Sequence, residues 1–102
     1  MYKRQEPIVI NGFQLGNAYP NPFNPNVSLS LKIIEKGEHI GLIHSLDGKI
    51  VKELNYGILE SGDHILKWDG LDNFGIPVHS GVYFFKLTDQ RISQSKKLLL
   101  VR

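Results

Sequence analysis

Four histidines, one acidic turn and one serine next to a histidine are the groups in this chain with chemical potential. His39, His44, His64 and His79 are scattered along it. None has the i, i+4 helical pairing or the close spacing of a metal site, so surface or rim positions are expected for all four. Asp69, Asp72 and Asn73 form the richest oxygen cluster and are the candidate calcium ligands. Calcium takes about six or more oxygens, and this turn offers few carboxylates at spacings unlike an EF-hand. Asx side chains that bond their own turn backbone account for the same residues. No metal is therefore expected. His79 and Ser80 are adjacent, which on a strand sends their side chains to opposite faces. No glycine-rich phosphate loop follows a strand, and no Gly-x-Ser-x-Gly elbow occurs. No catalytic residue and no cofactor are expected, and the chain reads as a binding or structural module rather than an enzyme.

The bulk numbers agree with that reading. A chain of 102 residues suggests one domain. Hydrophobic residues make up 41% and charged ones 22%, an ordinary globular composition. The net charge is +2 and no Lys/Arg block occurs, so no nucleic-acid partner is expected. A monomer is expected. The absence of cysteine excludes disulfides and thiolate metal sites. The longest apolar run, residues 98–101, is far too short to span a membrane. The first ten residues are charged and broken by Pro7, so they hold no secretory apolar core. If the domain is exported, the signal is expected upstream in a longer precursor.

The elements that position these groups are organised around residues 19–25, Tyr19-Pro20-Asn21-Pro22-Phe23-Asn24-Pro25. Each proline fixes φ, removes a donor and pushes the preceding residue toward extended geometry. The segment is neither helix nor central strand. It should be a stiff entry piece whose two rings, Tyr19 and Phe23, plug one end of a core. Residues 1–12 read as a linker or short first strand, with residues 8–10 as the strand candidate. From residue 13 onward the chain reads as strand and turn. Val27, Leu29, Leu31 and Ile33 alternate with Ser28, Ser30 and Lys32, the cleanest half-buried strand. In the next strand Ile40 and Leu42 face one way and Ile43 the other, and Gly41 suggests a bulge. Asp47-Gly48 between apolar runs predicts a two-residue type I′ hairpin with a strand over 49–54. A loose connection is expected over 55–62. Leu66 and Trp68, then Tyr83, Phe85 and Leu87, supply the bulk of the core. Gly81 is expected to allow a close approach or turn before Tyr83, making Gly81→Val destabilising. About seven strands at 8–12-residue spacing predict an all-β antiparallel β-sandwich of two facing sheets.

Several stretches, in order, resemble one family. Residues 15–25 (Leu-Gly-Asn-Ala-Tyr-Pro-Asn-Pro-Phe-Asn-Pro) resemble the opening signature of type A C-terminal sorting domains of bacterial type IX secretion. Residues 46–51 resemble that family's hairpin. Trp68-Asp69-Gly70, then Ser80-Gly81-Val82-Tyr83, then the terminal strand over 97–102 follow in the right order. Gly41, Leu42 and His44 depart from the pattern. The resemblance covers residues 13–102 and implies an immunoglobulin-like antiparallel β-sandwich, similar to the Ig-like domain of flagellar hook-capping proteins.

The resemblance implies an address rather than a reaction. Such a domain ends a cargo protein already in the periplasm and is read by the secretion machinery as the cargo crosses the outer membrane. A sortase-like peptidase then removes it, and the cargo is linked to anionic lipopolysaccharide at the cell surface or released. The expected partners are that machinery, its peptidase and an N-terminal cargo domain. We place recognition at Gly81, Val82 and Tyr83 with Lys97, Leu98, Leu100 and Arg102. A terminal strand with a basic edge suits strand addition to a receptor. Equally, its charges guard an edge against aggregation. The structural signature is Tyr19 to Pro25 with Trp68, Asp69 and Gly70. Two other readings stand beside sorting. One is a structural Ig-like assembly domain. The other is a carbohydrate-binding module using Tyr2, Tyr56 or Trp68.

Overall fold

The computed structural model describes residues 12–102. The linker over 1–7, the strand over 8–10 and Tyr2 lie outside the described residues. Seven strands follow: β1 (Phe13–Tyr19), β2 (Val27–Ile33), β3 (Gly37–Ser45), β4 (Ile50–Leu59), β5 (Gly62–Trp68), β6 (Gly81–Thr88) and β7 (Ser93–Leu100). They form two antiparallel sheets, ordered β1-β2-β5 and β4-β3-β6-β7. This is the all-β sandwich that the strand spacing implied, with the Ig-like fold that the resemblance implied.

Period-2 patterning builds the core. Val27, Leu29, Leu31 and Ile33 of β2 point inward and are buried, as are Tyr83, Phe85 and Leu87 of β6 and Leu98 and Leu100 of β7. Phe13 and Leu15 of β1, Ile43 of β3, and Leu66 and Trp68 of β5 complete the shared interior. Such alternation sets the register, because a one-residue slip would turn every apolar group outward.

Four local expectations need correction. First, β3 turns His39, Gly41 and Ile43 inward, leaving Ile40 exposed and Leu42 half-buried on the outer face. Gly41 is not the bulge. Two irregularities flank it: His39 pairs with Gly57 and Ile40 with Asn55, so Tyr56 is an extra residue, and Ile43 pairs with Lys52 and His44 with Ile50, so Val51 is another. Gly41 makes room for rings: a Cβ there would stand 2.9 Å from Phe85 Cε1 and 3.0 Å from Tyr56 Cε2. His39 is accordingly no rim residue but fully buried. Its ring meets Phe13 edge-on at 5.5 Å, and its Nδ1 lies 2.8 Å from the Gly37 carbonyl oxygen as donor.

Second, the β3–β4 hairpin has a three-residue loop, Leu46-Asp47-Gly48. Only Gly48 takes positive φ, at 89°, whereas a type I′ turn would need it at Asp47 too. The Ser45 amide bonds the Lys49 carbonyl at 2.9 Å and the Gly48 amide bonds the Ser45 carbonyl at 3.0 Å, closing the wider loop. The Ser45 hydroxyl donates to the Asp47 carboxylate and is the main cause holding that carboxyl below its ordinary range. Third, β4 continues to Leu59 instead of ending near residue 54, because β3 pairs with it as far as Gly37 opposite Leu59. Fourth, Gly81 has no left-handed φ, and a Cβ on it would approach nothing nearer than Tyr83 Cε2 at 3.9 Å. The steric constraint assigned to Gly81 belongs to Gly41.

Gly41→Ala should therefore cost about 1–3 kcal/mol through overpacking, while Gly81→Ala should stay within about 0.5 kcal/mol. Urea midpoints of the two variants check this. Burial pushes the Tyr56 phenol up to about 12, and its Oη has no hydrogen-bond partner among the described residues. An unfolded tyrosine releases its proton near about 10, so the unfolded chain gains from deprotonation first. Stability is then complete below about pH 10 and falls as pH rises toward about 12. Tyr56→Phe should flatten that decline when urea midpoints at about pH 9 and about pH 11 are compared.

Candidate functional site

The structure gathers the signature residues and the expected recognition residues at one end of the sandwich. The Tyr19–Pro20, Asn21–Pro22 and Asn24–Pro25 bonds are cis. Only one of the two rings plugs the core. Phe23 is buried, whereas Tyr19 ends β1 opposite Ser28 on the outer face and is 79% exposed. Phe23 packs on Trp68 at 5.7 Å between ring centroids, and Trp68 meets Tyr83 edge-on at 5.4 Å. Each polar tip is satisfied. Trp68 Nε1 donates to the Leu71 carbonyl at 2.9 Å, and Tyr83 Oη donates to the His79 carbonyl at 2.6 Å. Burial pushes the Tyr83 phenol up, with the Arg102 charge opposing it.

The proline segment also covers the outer edge of β7. The Phe23 amide donates to the Leu99 carbonyl at 2.9 Å, and the Val101 amide donates to the Phe23 carbonyl at 3.0 Å. Asn21 completes the seal with its side chain: Nδ2 donates to the Lys97 carbonyl at 3.0 Å, and the Leu99 amide donates to Oδ1 at 2.9 Å. Along this stretch β7 therefore has its backbone edge occupied by its own chain, so a receptor strand could add here only after the segment left.

Arg102 acts as a clasp. Its amide donates to Ser80 Oγ at 2.9 Å, its Nε to the Val78 carbonyl at 2.6 Å, and its Nη2 to the Gly70 carbonyl at 2.8 Å. Gly70 has φ +76°, and a Cβ there would sit 2.9 Å from Arg102 Nη2 and 3.2 Å from the Pro25 carbonyl oxygen. The Trp-Asp-Gly signature thus needs its glycine both for backbone conformation and for this close approach.

Of the expected recognition residues, Tyr83, Leu98 and Leu100 are core side chains, out of reach of a partner of the folded domain. Gly81 and Val82 are half-buried, and Lys97 is exposed. The calcium candidates are engaged elsewhere. Asp69 Oδ1 accepts from the Leu71 amide, Asp72 Oδ1 from the amides of Phe74 and Ile76, and Asn73 Oδ1 from the Glu53 amide. Among the described residues no group of three His, Cys, Asp or Glu could hold a metal. His44 stacks on Phe84 at 5.4 Å on the outer face, and His64 Nε2 lies 2.7 Å from the Glu60 carbonyl oxygen. Trp68 is buried and so is the Tyr56 hydroxyl, so neither offers a glycan platform.

Sequence reasoning missed Gln94 and, for Ser80, the hydrogen bond from the Arg102 amide. Gln94 joins the two sheets: Nε2 donates to the Phe13 carbonyl at 2.9 Å, and the Leu15 amide donates to Oε1 at 2.8 Å. Nothing in the sequence marks it. Asn21 was named only as part of the signature, and the two-sided use of its amide was not foreseen.

A family model described as the FlgD Ig-like domain matches residues 42–92. The span runs from within β3 to the turn before β7 and leaves out the proline segment. Among solved structures, the chain is similar to PorZ of Porphyromonas gingivalis, described as an essential bacterial surface component of the type-IX secretion system. Identity is 23% and the TM-score 0.60, over 89% of this chain and 12% of that one. It is similar to latent PorU of the same organism at 17% identity and TM-score 0.69, over 90% of this chain and 10% of that one. FlgD of P. aeruginosa gives 18% identity and TM-score 0.63, over 91% of this chain and 74% of that one. No curated protein matches. At these identities the structural likeness is one of fold.

Asn21→Ala should leave the fold intact at a cost of about 1 kcal/mol and speed amide hydrogen exchange at Leu99, while the inward-paired Leu98 amide stays protected. Residue-resolved exchange measures both.

Proposed function

The chain belongs to the family of FlgD Ig-like domains, and from that premise we propose that it is a non-catalytic sorting module. It directs a fused cargo protein across the outer membrane by type IX secretion. A shared fold does not assign a function, so the reading rests on the site. The observation that carries it is the union of the sorting-type proline signature with the terminal strand. Asn21 and Phe23 hold β7, and Arg102 clasps the Trp-Asp-Gly turn. The fold likeness to PorZ and PorU supports it. On this reading the partners are the secretion machinery, its sortase-like peptidase and an N-terminal cargo. The domain passes through the periplasm to the cell surface or beyond.

A second reading is an Ig-like domain that serves assembly without being removed. The FlgD family match over 42–92 favours it, because that span holds Trp68-Asp69-Gly70 but omits the proline segment and the terminal strand.

Fusion to a periplasmic reporter in a type IX-competent host separates the two. Sorting predicts the reporter outside the cell. Deleting residues 97–102 would not isolate the address, since it removes Leu98 and Leu100 from the core. Lys97→Glu is the informative variant: its exposed side chain should change export without changing the melting temperature. A folded wild-type fusion that stays in the periplasm overturns sorting and favours assembly.

A further inference from the structure

Three of the four outer strands have backbone edge groups occupied by side chains or loops. β7 is met by Asn21 and Phe23. β1 is met by Gln94. β4 is met by Asn73, whose amide donates to the Val51 carbonyl at 3.0 Å and whose Oδ1 accepts from the Glu53 amide at 2.9 Å. β5 is the outer strand of the three-stranded sheet, and among the described residues nothing hydrogen-bonds its free edge. An uncovered edge is a template for another strand.

The sequence of β5 is complementary to itself. Asp63, Ile65 and Lys67 lie on the outward face, and Ile65 is 61% exposed. The two charges stand symmetrically about Ile65. An antiparallel second copy centred there sets Ile65 against Ile65 and each Asp63 opposite the other copy's Lys67. Inside the domain, Asp63 has Lys32 on its other side and Lys67 has Ser28. Across the joined sheet no like charges become neighbours. Sliding the copy two residues one way brings Asp63 against Asp69. Sliding it the other way leaves both charges without a partner. Opposite charges directly across an antiparallel pair stabilise it, and like charges destabilise it.

We infer that β5 is a self-association edge, through which two copies of this chain join antiparallel about Ile65 into one continuous six-stranded sheet. This stands in place of the monomer expected above and does not depend on the sorting role. One added strand pair buries less than the ~1,600 Å² of a standard interface, so half-dissociation on the order of 100 µM is expected.

Sedimentation equilibrium of the 102-residue chain tests it, with circular dichroism confirming that each variant folds. The wild type should approach twice the monomer mass above that concentration. Lys67→Asp sets Asp63 against an aspartate, and Asp63→Lys sets Lys67 against a lysine. Each variant alone should dimerise at least about tenfold more weakly. Mixing the two variants, or combining both changes in one chain, restores opposite charges and should restore the dimer. A wild type that stays monomeric at about 1 mM, tenfold above the expected midpoint, overturns the proposal and leaves Asp63 and Lys67 as charges that guard an edge. Single variants that dimerise as well as the wild type overturn it equally.

Discussion

Trp68, held between Phe23 and Tyr83, is the contact on which the rest of this sandwich depends. Its three rings come from three places in the chain: the proline segment, β5 and β6. Trp68 belongs to one sheet and Tyr83 to the other, so their edge-on contact joins the layers. Aromatic pairs of this kind contribute about 0.5–1.5 kcal/mol each beyond the area they bury. Against a net stability of about 5–15 kcal/mol for a typical domain, two such pairs are a substantial share. The polar tips matter as well. Because the indole and the phenol both need acceptors, each draws a loop carbonyl down onto the core, Leu71 for one and His79 for the other.

Other features of that end follow from this contact. With the loop between β5 and β6 drawn in, the carbonyls of Gly70 and Val78 face Arg102, and Ser80 meets its amide. With Phe23 seated beside Trp68, its neighbour Asn21 lies alongside β7. The side chains of Asp69, Asp72 and Asn73 accept hydrogen bonds from backbone amides and so hold this loop and its seat on β4.

The layered fold was readable from the sequence because its signals are local and repeated. Alternation in β2 and the Tyr83, Phe85 and Leu87 spacing in β6 name the inward faces without any tertiary knowledge. Trp68 was placed in the core by its spacing from Leu66. Failures came where a long-range partner decides the outcome. Gly41 reads as a bulge until Phe85 and Tyr56 are seen against it. His39 reads as a polar rim residue, yet register carries it inward onto Phe13. Tyr19 and Phe23 are equivalent in composition, and only the path of the chain tells the exposed ring from the buried one. At the candidate site the residue types were legible, but their use was not. Leu98 and Leu100 look like an edge offered to a receptor until Asn21 is found occupying it. Gln94 has no sequence signature, because a side-chain amide bridging two sheets depends on pairings between strands far apart in the chain.

Gln94 has a consequence for the order of events in time. It ties β7 to the backbone of Phe13 and Leu15, residues about eighty positions earlier. Phe23 likewise waits for Leu99. On a ribosome, which releases the chain from its first residue, β1 and the proline segment emerge long before the strand that fastens them. The sandwich cannot close until its last strand is free. Contacts of such wide sequence separation make folding slow, because the loop they enclose must be ordered first. A chain truncated anywhere before β7 would leave β1 and the Phe23 segment without their latch, so closure of this domain reports that translation has run through its final strand.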